Sequence, residues 1–295
     1  MNQFLGAVSV GLGQGAIYVL LALGFVMIYK AMGVISFAQP SFMMSGAVLV
    51  SYLTPRFGFA AAVVLGAIGI AVVALVVERL AIRPMVGKAV FVIAIITIGV
   101  DIVVRTIATA FLGVHPRSVG DPWGLSASTL GGVVIQHRHL AAFLVATVIV
   151  IALFAFFRFT PIGLAMRAVA LDQEAAMAQG INVGTVFATS WGLAGGLAAV
   201  AGVFASTGGA IDNNLWVVAL IALPVIILGG LDSLGGAVVG GLIIGLTHAM
   251  VSTYYRDLIP FVTNNPASVA PFVVMFLVLL LRPYGLFGTK EVVRV

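Results

Sequence analysis

Apolar residues run along this chain in nine stretches separated by short polar breaks. They cover Gly6–Ile28, Val34–Leu53, Phe59–Val77, Ala89–Leu112, Leu140–Phe157, Thr185–Ser206, Trp216–Leu228, Gly236–Thr253 and Ser268–Leu281. A helix needs ~20 mostly apolar residues to cross a hydrocarbon core, and most of these runs come close. They are continuous rather than alternating, which excludes a β-barrel. Backbone groups in lipid must bond internally, so such runs must be helices. The predicted fold is all-α: a polytopic transmembrane helix bundle of about eight to nine spans, forming one domain over residues 1–295. The seventh run is short and reads as a partial span. The second contains Ser36, Gln39, Pro40, Ser41 and Ser45, and reads as a broken or re-entrant helix.

Composition narrows the class. The chain is 62% hydrophobic and 8% charged, against about 25% charged in a soluble domain. That leaves too little polar side chain to cover a water-soluble surface, and too little to keep a chain disordered. Cysteine is absent, which removes disulfides, thiolate metal sites and a Cys nucleophile.

The formal charge is +5. Lys30, Arg79, Arg83, Lys88, Arg158, Arg167, Arg282, Lys290 and Arg294 fall on one side of nine alternating spans. Arg56, Arg117, Arg138 and Arg256 fall on the other, and Arg105 lies within a span. Nine against four predicts a cytoplasmic C-terminus and an external N-terminus. Loop-end basic residues account for the charge without a nucleic-acid partner.

Catalytic signatures are missing. Gly87-Lys88 is followed by Ala89 and lacks the earlier glycine of a phosphate-binding loop, so no ATPase motif is present and no enzyme is expected. His115, His137 and His139 fall in the expected external stretch 113–139. The His137-x-His139 pair reads as a solvated loop feature, so neither metal nor cofactor is expected.

Polar residues inside the spans are few. Asp101 and Arg105 share a helix face at a spacing of four. They read either as a mutually neutralised pair facing the bundle or as a lining of a solute path. Ser36, Gln39 and Ser41 surround Pro40. This segment reads either as a surface loop or as irregular backbone at membrane depth, which survives only when buried or lining a cavity. Gln14 and Tyr18 share a face of the first span and are expected to join the same cavity. The candidate translocation path is thus Gln14, Tyr18, Ser36, Gln39, Ser41, Asp101 and Arg105.

The longest connection, Arg158–Gly184, lies on the expected cytoplasmic side. Thr160-Pro161 reads as an N-cap followed by proline at the first helical position. Leu164, Ala168, Leu171 and Ala175 recur at helical spacing, and Gly180 stands where the helix would stop. One amphipathic helix is predicted, with Arg167, Asp172, Gln173 and Glu174 off the apolar stripe. It serves either as an interfacial helix on lipid headgroups or as a docking helix for a cytoplasmic partner.

Several motifs, in this order and spacing, resemble one family. They are Gly11-Leu12-Gly13-Gln14-Gly15-Ala16-Ile17-Tyr18, Gly33-Val34-Ile35-Ser36-Phe37-Ala38, Arg83-Pro84, Thr97-Ile98-Gly99, Gly163-Leu164-Ala165-Met166-Arg167-Ala168, Leu228–Ala237 and Arg282–Gly288. The chain resembles the permease subunits of branched-chain amino acid ABC importers, the LivH-like family, across nearly its full length. The resemblance implies a multi-pass protein of the prokaryotic inner membrane. It also implies a second permease subunit (homo- or heterodimer), two cytoplasmic ATP-binding subunits and an external solute-binding protein as partners. Residues 158–184 would be the coupling loop, with Arg167, Asp172, Glu174 and Gly180 as its working residues. Glu174-Ala175-Ala176 followed by Gly180 matches part of the EAA-type signature of importer permeases. In place of the family's common His-Gly-Glu this chain has Gln39-Pro40-Ser41, and it has Asp101 and Arg105 where Ser and Gln are common. Urea or short amides therefore stand as alternative solutes. A stand-alone secondary transporter or channel for a small polar solute is the alternative mechanism.

Overall fold

The computed structural model describes residues 2–113, 116–130, 133–258 and 265–288; His115, Lys290 and Arg294 lie outside the described residues. Each of the nine apolar runs contributes helix, although residues 34–38 at the start of the second are not helical. Among the described residues six helices are long and apolar enough to span a membrane. These are α1 (Asn2–Met32), α3 (Phe59–Val77, continuing through a π-helical turn and a 3-10 turn to Met85), α4 (Val90–Leu112), α5 (His137–Phe159), α8 (Val183–Ala205) and α11 (Leu234–Leu258). The remaining runs form α2 (Gln39–Phe57), the interrupted pair α9 (Leu215–Leu220) and α10 (Ala222–Gly229), and α12 (Ala270–Leu281).

The helix α1 runs through the middle of the bundle, against α5, α8 and α11. It is buried without a break from Gly15 to Ile28. That suits a helix apolar on every side. Glycines set its spacing: a β-carbon on Gly245 of α11 would overlap Gly15, and one on Gly13 would lie 2.7 Å from Nδ1 of His139 on α5. Close backbone approach supplies dispersion contacts where lipid gives no hydrophobic drive.

The outer helices are equally apolar yet bury one narrow stripe each. On α3 it is Ala62, Gly66, Ile70 and Ala74; on α4 it is Ile93, Thr97, Asp101, Ala108 and Leu112. Ile95, Ile98, Ile102 and Phe111 of α4 point outward. The buried stripe of α4 carries Thr97 and Asp101, while the exposed Thr106 and Thr109 turn their hydroxyls back onto the Ile102 and Arg105 carbonyls, which keeps the lipid-facing side free of unpaired polar groups.

The helical architecture carries a short hairpin, in which β1 (Ala127–Leu130) and β2 (Val133–Gln136) pair antiparallel before α5. Two local expectations are corrected. His137 and His139 belong to the first turn of α5 rather than to a loop. The predicted single amphipathic helix is two, α6 (Pro161–Leu171) and α7 (Gln173–Ala178). Asp172 is extended (φ −159°, ψ 111°), and its Oδ1 accepts the Ala175 N–H at 2.9 Å, capping α7. The apolar stripe faces away from the bundle, with Leu164 60% and Leu171 89% exposed, while Met166 and Val169 are buried. The turn from α5 explains this. Thr160 caps α6 by accepting from Gly163 N–H at 3.0 Å, and a β-carbon on Gly163 would overlap the Phe156 carbonyl. This tight approach fixes which face of α6 meets the bundle.

Long-range bonds define the two ends. At one end Lys30 donates to the Asp232 carbonyl at 2.8 Å, and Arg83 donates to the Gly184 carbonyl at 2.7 Å. Arg167 lies beside Lys30 there, and Phe287 N–H bonds the Gly229 carbonyl. At the other end Ile211 N–H bonds the Arg117 carbonyl, and Arg138 donates to the Thr207 carbonyl.

Candidate translocation site

The seven predicted path residues separate into two groups. The first is built where the chain re-enters the bundle after α1. Residues 33–38 have no helical bonding, and α2 starts at Gln39 deep inside. A β-carbon on Gly24 would lie 2.9 Å from Nε2 of Gln39; Gly24 is eight residues before the end of α1, about 12 Å inward at 1.5 Å per residue. Ser36, Gln39 and Ser41 are wholly buried. The segment is therefore buried irregular backbone and not a surface loop. Phe37 N–H donates to Thr97 Oγ1 at 3.0 Å, tying the segment to α4, and Ser41 Oγ donates to the Ala38 carbonyl at 2.8 Å.

Asp101 lies one turn beyond Thr97 and faces Ser41 in the first turn of α2. Its carboxylate thus meets the positive end of that helix. Asp101 Oδ2 pairs with Arg105 Nη2 at 3.1 Å, and the Arg105 guanidinium stacks 4.4 Å from the Trp216 ring centroid on α9. The mutually neutralised pair of the sequence reading is present. Both polar atoms of Gln39 and Oδ1 of Asp101 are buried without a hydrogen-bond partner among the described residues.

The second group holds Gln14 and Tyr18, which do not join the first. They line a separate cavity of about 300 Å³ with Arg138, His139, Thr207 and His248. Gln14 Oε1 lies 2.9 Å from Nδ1 of His248, whose ring meets the Tyr18 ring edge-on at 6.3 Å. The apolar part of the lining is Ile17, Phe204, Val218 and Ile221.

The coupling-loop candidates occupy the opposite end. Arg167 and Asp172 line a cavity of about 620 Å³ with Lys30 and Gln173. Glu174 is exposed in the first turn of α7, and Gly180 (φ 82°) ends that turn in a left-handed conformation. Gln173 Nε2 donates to the Ala31 carbonyl at 3.0 Å, joining α7 to the end of α1. Glu78, buried in the π-helical turn, holds Arg83 at 3.2 Å, and Arg83 in turn holds the first turn of α8.

Residues 7–281 match the family model described as branched-chain amino acid transport system / permease component. The chain belongs to this family. The permease is 29% identical to the high-affinity branched-chain amino acid transport system permease protein LivH of Escherichia coli, over 99% of this chain and 98% of that protein. It is 30% identical to the corresponding protein BraD of Pseudomonas aeruginosa, over 97% and 96%. Among solved structures it is similar to PsaBC from Streptococcus pneumoniae in complex with Fab, at 14% identity, 94% and 88% coverage and a TM-score of 0.43.

Sequence reasoning missed several residues of this permease. His139 stood out only as a loop residue and His248 not at all, because no spacing links α5 and α11 to α1. Trp216 sits in the short seventh run, and nothing local connects it to Arg105. Thr97 was legible as a polar residue in a span, but not as the donor-acceptor bridge to the re-entrant segment.

Proposed function

We propose that this permease imports branched-chain, hydrophobic amino acids handed over by an external binding protein. ATP hydrolysis on two cytoplasmic partner subunits drives it, and a second permease completes the membrane part. The carrying observation is the segment 158–184. It presents Leu164 and Leu171 outward while Gln173 and Arg83 anchor it to α1, α3 and α8. A surface that is apolar outside and rigidly tied inside suits a docking element that transmits displacement. Arg167, Asp172, Glu174 and Gly180 are the polar and turn residues of that element.

In this reading the end that gathers Lys30, Arg83 and Arg167 faces the cytoplasm, as the basic-residue rule expects, and the described C-terminal residues lie at that end. The buried group of Ser36, Gln39, Ser41, Asp101 and Arg105 forms the moving frame of the path. The cavity at Gln14 and Tyr18 belongs to its outer half.

Co-expression with the candidate ATP-binding subunits tests this. A stable complex is expected, and charge reversal at Arg167 or Glu174 is expected to separate ATP hydrolysis from uptake. Absence of any complex, or ion-driven uptake by this chain alone in proteoliposomes, overturns the reading.

A further inference from the structure

The outer cavity carries chemistry that a buried structural void does not need. Tyr18 is 4% exposed, yet its hydroxyl has no hydrogen-bond partner among the described residues, and neither does the ring of His139. Tyr18 lines the cavity, so its hydroxyl is available to whatever occupies that space. Arg138 sits in the same lining. It donates to Gln136 Oε1 at 2.8 Å and to the Thr207 carbonyl at 3.2 Å, and among the described residues no carboxylate is paired with it. The lining holds no Asp or Glu at all. A guanidinium, a phenol and two imidazoles thus converge without a counter-charge. Opposite them stand Ile17, Phe204, Val218 and Ile221, all apolar and mostly branched.

Two glycines make the room. A β-carbon on Gly208 (φ 81°) would overlap the Arg138 guanidinium, and one on Gly13 would press on His139. A space near 300 Å³ lies at the small end of the range for small-molecule sites.

We infer that this cavity is a binding site for a monocarboxylate with a short branched aliphatic tail. The carboxylate accepts from Tyr18 and Arg138, and the tail lies on Val218 and Ile221. Resting on the importer reading, the occupant is the amino acid in transit, held between the binding protein and the inner half of the path.

The chain has no cysteine, so a single Val218→Cys reporter can be followed by mass spectrometry in the complete transporter in nanodiscs. Small neutral thiol reagents are expected to label it. L-leucine and isocaproate, which keeps the carboxylate and tail, should slow labelling about tenfold at ~10 times their dissociation constants. Isoamylamine, with the same tail and no carboxylate, should give no protection. Adding Tyr18→Phe with Arg138→Gln should abolish the isocaproate effect. An Ile221→Cys reporter repeats the measurement if Val218→Cys fails to assemble. Labelling unchanged by isocaproate or L-leucine, or slowed equally by isoamylamine, overturns the inference. The measurement needs neither ATP nor the binding protein, so its failure is distinct from failure of the importer reading, which is judged by complex formation.

Discussion

The side chain of Gln173 donates to the main-chain carbonyl of Ala31 at 3.0 Å, across 142 positions of sequence. Ala31 is in the last turn of α1, whose carbonyls lack helical partners. Gln173 is in the first turn of α7. The re-entrant segment 33–38 begins two residues after Ala31, so a shift of α7 is delivered directly to the chain that carries Ser36 and Gln39. Removing the amide in Gln173→Ala should lower uptake per ATP hydrolysed. The bond contributes about 0.5–1.5 kcal/mol, so a loss of about two- to tenfold is expected. Gln173→Glu, which sets an acceptor against an acceptor, should be at least as harmful. Paired uptake and phosphate-release assays on the reconstituted transporter check this.

Asp101 and Arg105 protect one another. Arg105→Gln leaves a carboxylate at membrane depth with Ser41 and the end of α2 as its remaining support. Breaking a fully buried pair costs about 3–5 kcal/mol, and less is expected here because about a quarter of the Arg105 side chain is exposed. The double variant Asp101→Asn with Arg105→Gln should recover much of the loss. Thermal unfolding in detergent, arranged as a double-mutant cycle, measures the coupling.

Trp216 gives Arg105 its second contact. Trp216→Leu keeps an apolar residue but removes the ring face, worth about 0.5–2 kcal/mol. A fall in the unfolding midpoint is expected in the wild-type background and almost none when Arg105 is already Gln.

Glycines differ sharply by neighbour. Gly202→Val should prevent assembly, because a β-carbon there overlaps the Met43 carbonyl of α2. Gly99→Ala should be tolerated, since nothing lies within 4 Å of its β-carbon position. Expression yield and size-exclusion profile separate the two.

Asp172→Ala removes the cap that starts α7. A lost N-cap costs about 1 kcal/mol, and here it also removes the extended residue that separates two helices. Residues 161–178 should then continue as one helix and carry Gln173 away from Ala31. Spin labels on the exposed positions Leu164 and Met177 should report a longer and narrower distance distribution than in the parent.

The apolar runs by themselves determined the helical membrane architecture. Lipid leaves unsatisfied backbone groups no alternative, and each of the nine runs contributes helix. Thr160 and Gly180 were equally legible, because capping and left-handed stops are settled within a few residues. The break at Asp172 was less visible: its apolar periodicity continued across it, and the tie from Gln173 to α1 lies far away in sequence.

Which faces are buried was decided only in three dimensions. On helices apolar all round, periodicity carries no information about the inner side, and glycine contacts such as Gly15 with Gly245 make that choice. The same limit governed the candidate site. Sequence found Gln14, Tyr18, Asp101 and Arg105 because polar side chains are costly in lipid and so stand out. It put Gln14 and Tyr18 with the segment 36–41, whereas packing sets them in a separate cavity with His139 and His248 and leaves Asp101 and Arg105 in a cluster completed by Trp216. Polarity inside a span is a local property; the partner that satisfies it is chosen by the packing of helices distant in sequence.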